Sequence, residues 1–231
     1  EKIETARRKD NKIELIMLYK KYAEIEEEYG KRNDLTYSII AKLYKDLEDY
    51  INARLYQRKA INIAENKYGE NSLNVASHLD ALALMYFDPN NPFYNENVYN
   101  EVENINKRKL SIRLDILGKH DIDTSFSYNT LAGFYSNKEL YNEAIKFGEI
   151  AIEIAEEIDD GVEFFEPIPI YRAFLYSAIA GHHIQIGEIS KGKNYLQKAK
   201  SLRDKFLSED DPRRSETYED LAYAYFKSGD F

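Results

Sequence analysis

Five times along this chain a small residue is followed three positions later by a ring: Ala41 and Tyr44, Ala83 and Tyr86, Ala132 and Tyr135, Ala180 and His183, Ala222 and Tyr225. The alanines stand 42, 49, 48 and 42 residues apart. A fixed period in this range marks stacked supersecondary units, each burying its apolar face against its neighbours, rather than one closed core. Extended surfaces, not an enclosed cavity, are where function is then sought.

A second anchor fixes the register. Nine residues after the alanine stand Tyr50, Tyr141, Ile189 and Phe231, whereas Tyr99 arrives sixteen after Ala83, so seven extra residues occupy one turn. Small residues recur three and ten positions beyond this anchor (Ala53 and Ala60, Ala144 and Ala151, Gly192 and Ala199), with Val102 and Lys109 departing. Such spacing predicts pairs of antiparallel helices whose axes approach at the small residues. Tyr37, Leu79, Tyr128, Tyr176 and Tyr218, with Ile63, Ile112, Ile154 and Leu202, fill the spaces beside them. Residues 11 to 29 predict one further helix, with Leu15, Leu18, Tyr22, Ile25 and Tyr29 as its apolar stripe. Glycine closes it at Gly30, as Gly69 closes a later helix.

Composition excludes several function classes. The net charge is −9, with 41 acidic against 32 basic residues, so the long-range field repels a phosphate backbone and nucleic acid is not an expected partner. Arg7, Arg8 and Lys9 stand beside Glu1, Glu4 and Asp10 and read as a solvated face. No apolar run approaches the roughly 18 residues needed to cross a bilayer, so no membrane contact is expected. The chain has no cysteine, which removes disulfides, thiol catalysis and thiolate metal sites and fits a cytoplasmic setting.

No catalytic constellation emerges. The adjacent His182 and His183 point about 100° apart on a helix and cannot share a metal. His78 and His120 stand far from them in sequence, and the carboxylate runs Glu26 to Glu28 and Asp159 to Asp160 read as surface charge. Phosphate-binding glycine loops and nucleophile elbows are absent. The expectation is a non-enzyme without cofactor or metal.

These residues resemble the tetratricopeptide repeat family, whose unit carries a ring, a leucine, a small residue and a tyrosine on its first helix and two alanines on its second. The stretches LAGFYSNKELYNEAIKFGEIAIEIAEEI (131 to 158) and KAINIAENKYGENSLNVASHLDALALMY (59 to 86) are similar to the longer, roughly 42-residue unit of kinesin light chains and many bacterial proteins. The resemblance implies an all-α fold, a right-handed α-solenoid of antiparallel helix pairs. It divides the chain into a lead-in at 1–33, repeats at 34–75, 76–124, 125–172 and 173–214, and a truncated fifth at 215–231.

The resemblance also places a peptide-binding groove on the first helices, six and three positions before the alanine and one, four and five after it. In the central repeats these include Asp80, Leu84 and Phe87; Phe126, Asn129, Gly133, Ser136 and Asn137; and Phe174, Ser177, Gly181, Ile184 and Gln185. The fifth contributes Glu216, Glu219, Tyr223, Phe226 and Lys227. The Lys, Arg and Asn set that clamps a carboxylate in chaperone-tail binders is missing. Asn129 is expected to grip a peptide backbone, and the phenylalanines with Gly133 and Gly181 to accept apolar side chains. Inter-repeat packing is the competing role for Phe126 and Phe174.

Two insertions, 87 to 99 with Phe93 and Tyr94 and 159 to 171 with Phe164 and Phe165, are either contact sites or rings folded back on the solenoid edge. The chain starts at Glu1 and stops where a first helix lacks its partner, which suggests a longer parent. The expected function is a protein-protein interaction scaffold that binds a peptide or protein segment. The alternative is the regulatory or sensor arm of a larger effector, a caspase-like protease or nucleotide-switched ATPase, contacting that domain intramolecularly.

Overall fold

The computed structural model describes residues 11–31, 33–86, 96–162 and 164–229, apart from the side chains of residues 96 and 97. Arg7 to Lys9, Phe87, Phe93, Tyr94 and Phe231 lie outside the described residues. Among the described residues every regular element is an α-helix: α1 Lys12–Glu28, α2 Asp34–Lys45, α3 Tyr50–Tyr68, α4 Leu73–Tyr86, α5 Glu96–Leu117, α6 Ile122–Asn137, α7 Tyr141–Glu157, α8 Ile168–Gln185, α9 Ile189–Phe206 and α10 Pro212–Ser228.

The sequence period has a backbone cause. The carbonyl of the ring residue three after the alanine accepts from the N–H five residues on: Asp49 to Tyr44 (3.0 Å), Leu140 to Tyr135 (2.9 Å) and Glu188 to His183 (2.9 Å). This is the long bond of a Schellman stop, and it requires a left-handed residue just before the donor. Glu48 (φ 60°), Glu139 (φ 58°) and Gly187 (φ 85°) occupy that position. One turn geometry therefore joins first to second helix in three repeats, and the second anchor begins the next helix at Tyr50, Tyr141 and Ile189. Side chains of Asn33, Asp49, Asp121 and Asp211 cap the N-termini that follow them.

The chain divides into two compact units, Glu1–Ile112 and Arg113–Phe231, with the boundary inside α5. In the first, α2 packs on α1 and α3, and α4 packs on α3. Ala41 and Ala53, both fully buried, meet with Met85, while Ala23, Tyr37, Ala60 and Ile63 form a second cluster. The inward face of α1 differs from the expected stripe: Leu15, Ile16, Tyr19 and Ala23 are buried, whereas Tyr22, Ile25 and Tyr29 are exposed. Ala23 sets this rotation, because its small side chain lets α1 approach Tyr37 and Ala60 closely.

Lys109, which departs from the small-residue pattern, is fully buried, and its Nζ donates to Asp80 Oδ1 at 2.6 Å. A buried ammonium demands such a partner, so the departure at 109 explains the carboxylate at 80.

In the second unit, α7 packs on α6 and α8, and α9 on α8 and α10. The main cluster joins Ile122, Ile145, Ala151, Ile152, Ala155, Ile168, Tyr171, Leu175, Ile179 and Ala199, with Phe126, Tyr128 and Phe164 against it. Gly192 is required by its neighbours, since a Cβ there would lie 2.6 Å from Ile184 Cγ1 and 3.0 Å from the Ala180 carbonyl. On α10 the buried residues are Thr217, Leu221 and Ala224, whereas Ala222 is exposed.

Candidate functional site

Three of the four histidines, His78, His120 and His183, are engaged by carboxylates. Gln57 Nε2 lies 3.2 Å from His78 Nδ1 and 3.0 Å from the His78 carbonyl. The amide can only donate, so Nδ1 accepts and Nε2–H is directed at Asp34 Oδ2, 2.9 Å away. Ser38 donates to Gln57 Oε1 at 3.1 Å. Burial pushes the Asp34 carboxyl up, but hydrogen bonds from His78 and the backbone, with Lys67, hold it below the usual range. His183 stacks on Tyr195 (5.6 Å, 8°), and its Nδ1 meets Glu188 at 2.8 Å. His120 is exposed and pairs with Glu157. Among the described residues no group of three or more acidic or histidine side chains could hold a metal ion, and no described helix is long and apolar enough to cross a membrane.

The expected groove residues fall in both units. In the first, Asp80 is engaged by Lys109 and Leu84 is exposed at 53%. In the second, one register forms an uncovered strip on successive first helices. On α6, Gly133 and Asn137 are exposed and Phe126 and Asn129 half-buried; on α8, Phe174 and Gly181 are exposed and Ser177 half-buried. Glu216, Glu219, Tyr223 and Phe226 continue the register as an exposed face of α10. A Cβ added to Gly133 or to Gly181 would meet nothing within 4 Å. Ser177 Oγ is shielded from solvent without a hydrogen-bond partner. Ile184 is placed elsewhere: it is buried with Ala180, Leu196, Leu221 and Ala224 and faces the core.

His182, not anticipated as a lining residue, lies beside this strip. Burial, and secondarily His183, hold its imidazole below the usual value and so neutral near pH 7. Its Nδ1 is 3.4 Å from Ser136 Oγ, and its ring is 6.2 Å from Tyr141. The signal in the sequence was its place directly after Gly181.

The second insertion folds back. Phe164 joins the main cluster, whereas Phe165 stays 67% exposed with its ring edge-on to Phe126 at 5.8 Å. Arg172 donates to the Ala155 carbonyl (2.7 Å) and to Asp160 (2.7 Å), pinning the insertion's start. Glu166 at its end pairs with Arg213 at 3.2 Å.

Residues 36–67 match the family model described as Tetratricopeptide repeat. That stretch, most of α2 and α3, is similar to a tetratricopeptide repeat. The whole chain shares its fold with solved repeat structures. BtubC (BKLC) from P. vanneervenii superposes with a TM-score of 0.75 at 18% identity, covering 92% of this chain and 81% of that one. The TPR-like repeats of a kinesin light chain from Podosopora anserina give 0.67 at 16%, covering 84% and 85%. A signal transduction ATPase with a tetratricopeptide repeat sensor, from Pyrococcus horikoshii, gives 0.64 at 19%, where all of this chain matches 39% of that protein. No curated protein sequence matches the chain. The fold class is that of tetratricopeptide solenoids, and such repeats generally mediate protein-protein interaction.

Proposed function

We propose that the second unit, Arg113–Phe231, binds an extended peptide along the strip formed by α6, α8 and α10. The open space above Gly133 and Gly181 carries this reading, because it lets a ligand main chain approach two helices without meeting a Cβ. Asn129 and Asn137 supply amides for a peptide backbone. Phe174, 46% exposed, offers an apolar contact.

A sensor arm of a larger effector is the second reading, favoured by the match of the full chain to part of the ATPase with a repeat sensor. Both readings use the same strip and differ in whether the ligand is a separate chain or another segment of the same one. Panning a random dodecapeptide phage library against the protein tests the strip itself. Selected peptides are expected to lose binding on Gly133→Leu and on Gly181→Leu; peptides indifferent to both would overturn the reading.

A further inference from the structure

The strip changes chemistry along its course, and the change occurs beside the second insertion. On α6 and α8 its N-terminal edge is aromatic, with Phe126 and the exposed Phe174, and Phe165 extends it outward. On α10 the position matching Phe126 and Phe174 is Glu216, and Glu219 stands where Asn129 and Ser177 stand; the two share one face of the helix with Asp220 beside them. The Glu166–Arg213 pair ties the insertion to the first turn of α10, one turn before Glu216.

The local charge balance is uneven. Arg213 is engaged by Asp211 at 2.8 Å and by Glu166, and Arg214 and Lys200 by Asp204 at 2.9 and 2.6 Å. Glu216, Glu219 and Asp220 have no ion-pair partner among the described residues. Arg203 also stands nearby, its buried guanidinium directed at Thr217. Burial, and then the charges of Glu216 and Glu219, push the Asp220 carboxyl up against the influence of Arg203. Glu216 and Asp220 thus act on the interior guanidinium of Arg203, and Glu216 also on Arg213, which Asp211 and Glu166 already engage, so the surface there is short of positive charge.

We infer that the peptide taken by this strip carries a large apolar side chain followed within a few residues by lysine or arginine, the former on Phe165 and Phe174, the latter at Glu216 and Glu219. This rests on the peptide-binding reading above. Charge complementarity selects this occupant over an acidic segment, which would meet three unpaired carboxylates.

The same dodecapeptide library decides the matter. Selected sequences should be enriched in lysine or arginine near an aromatic or aliphatic residue. The double variant Glu216→Gln, Glu219→Gln should weaken them roughly fivefold and flatten their salt dependence, and Phe165→Ala should weaken them independently. All three residues are exposed, and unchanged helicity by circular dichroism is the control. Neutral or acidic peptides that respond to Gly133→Leu but not to the glutamine variant would overturn this inference and leave the peptide site standing. Failure to enrich any peptide sensitive to Gly133→Leu would overturn both.

Discussion

Arg113 donates through Nη1 to the hydroxyl of Ser127, 2.7 Å away and 14 residues later in the chain. Arg203 makes the same bond to Thr217, again across 14 residues, and both hydroxyls also return a bond to the carbonyl four residues before them, at Asp123 (3.0 Å) and Arg213 (3.2 Å). The arginines stand four residues after Lys109 and Ala199, at the position where Ala64 and Ala155 occur in the other repeats. A guanidinium fills the gap between second helix and next first helix that other repeats fill with His78 or Leu175.

Because Arg203 is buried, Thr217→Val leaves its charge short of a partner and should cost roughly 1 to 3 kcal/mol in denaturant unfolding. Adding Arg203→Leu should recover much of that loss, since an apolar pair needs no partner. Additive losses in the double variant would contradict the assigned bond.

Glycine is expected to be required at one helical position and dispensable at another. Gly192→Ala forces a Cβ to within 2.6 Å of Ile184 and should lower the melting temperature despite alanine's better helix propensity. Gly148→Ala places its Cβ 3.6 Å from Ile179, an ordinary contact, and should raise stability by about 1 kcal/mol. Thermal melts of the two variants settle the contrast.

Asp80 separates a structural from a ligand role. If it serves chiefly to neutralise Lys109, Asp80→Asn should destabilise the first unit by about 1 to 3 kcal/mol, because a neutral amide replaces the carboxylate that balances a buried ammonium. A variant of parental stability would return Asp80 to the list of surface residues.

Tyr86 gives the first unit an alkaline limit. Burial, and then its bond with Glu101, push the phenol up to about 12, against the influence of Arg58. The folded value lies above the unfolded 10.0, so the contribution is complete below pH 10 and is lost as pH rises through about 12. Unfolding midpoints across that interval should fall more steeply for the parent than for Tyr86→Phe.

Much of the fold was legible because the features that build it are local. The alanine, the ring three later and the anchor nine later encode one Schellman turn, used identically at Tyr44, Tyr135 and His183. The rotation of α1 was not legible, since Leu18, Tyr22 and Ile25 satisfy helical spacing as well as Ile16, Tyr19 and Ala23; contact with α2 decides between them. At the candidate site, register located the open glycines. It did not anticipate Ile184 turning into the core, where Gly192 leaves room for it, nor Lys109 engaging Asp80 from a position that usually holds alanine. Those outcomes depend on partners supplied by other helices.

The central claim is that the strip over Gly133 and Gly181 is the binding surface, and the most direct measurement is peptide affinity for Gly133→Leu and Gly181→Leu beside the melting temperature of each. Both positions are open, so neither leucine should disturb packing. The account predicts unchanged melting with affinity lower by at least about 1.4 kcal/mol, a tenfold loss. Full affinity in both variants, with folding intact, would contradict it.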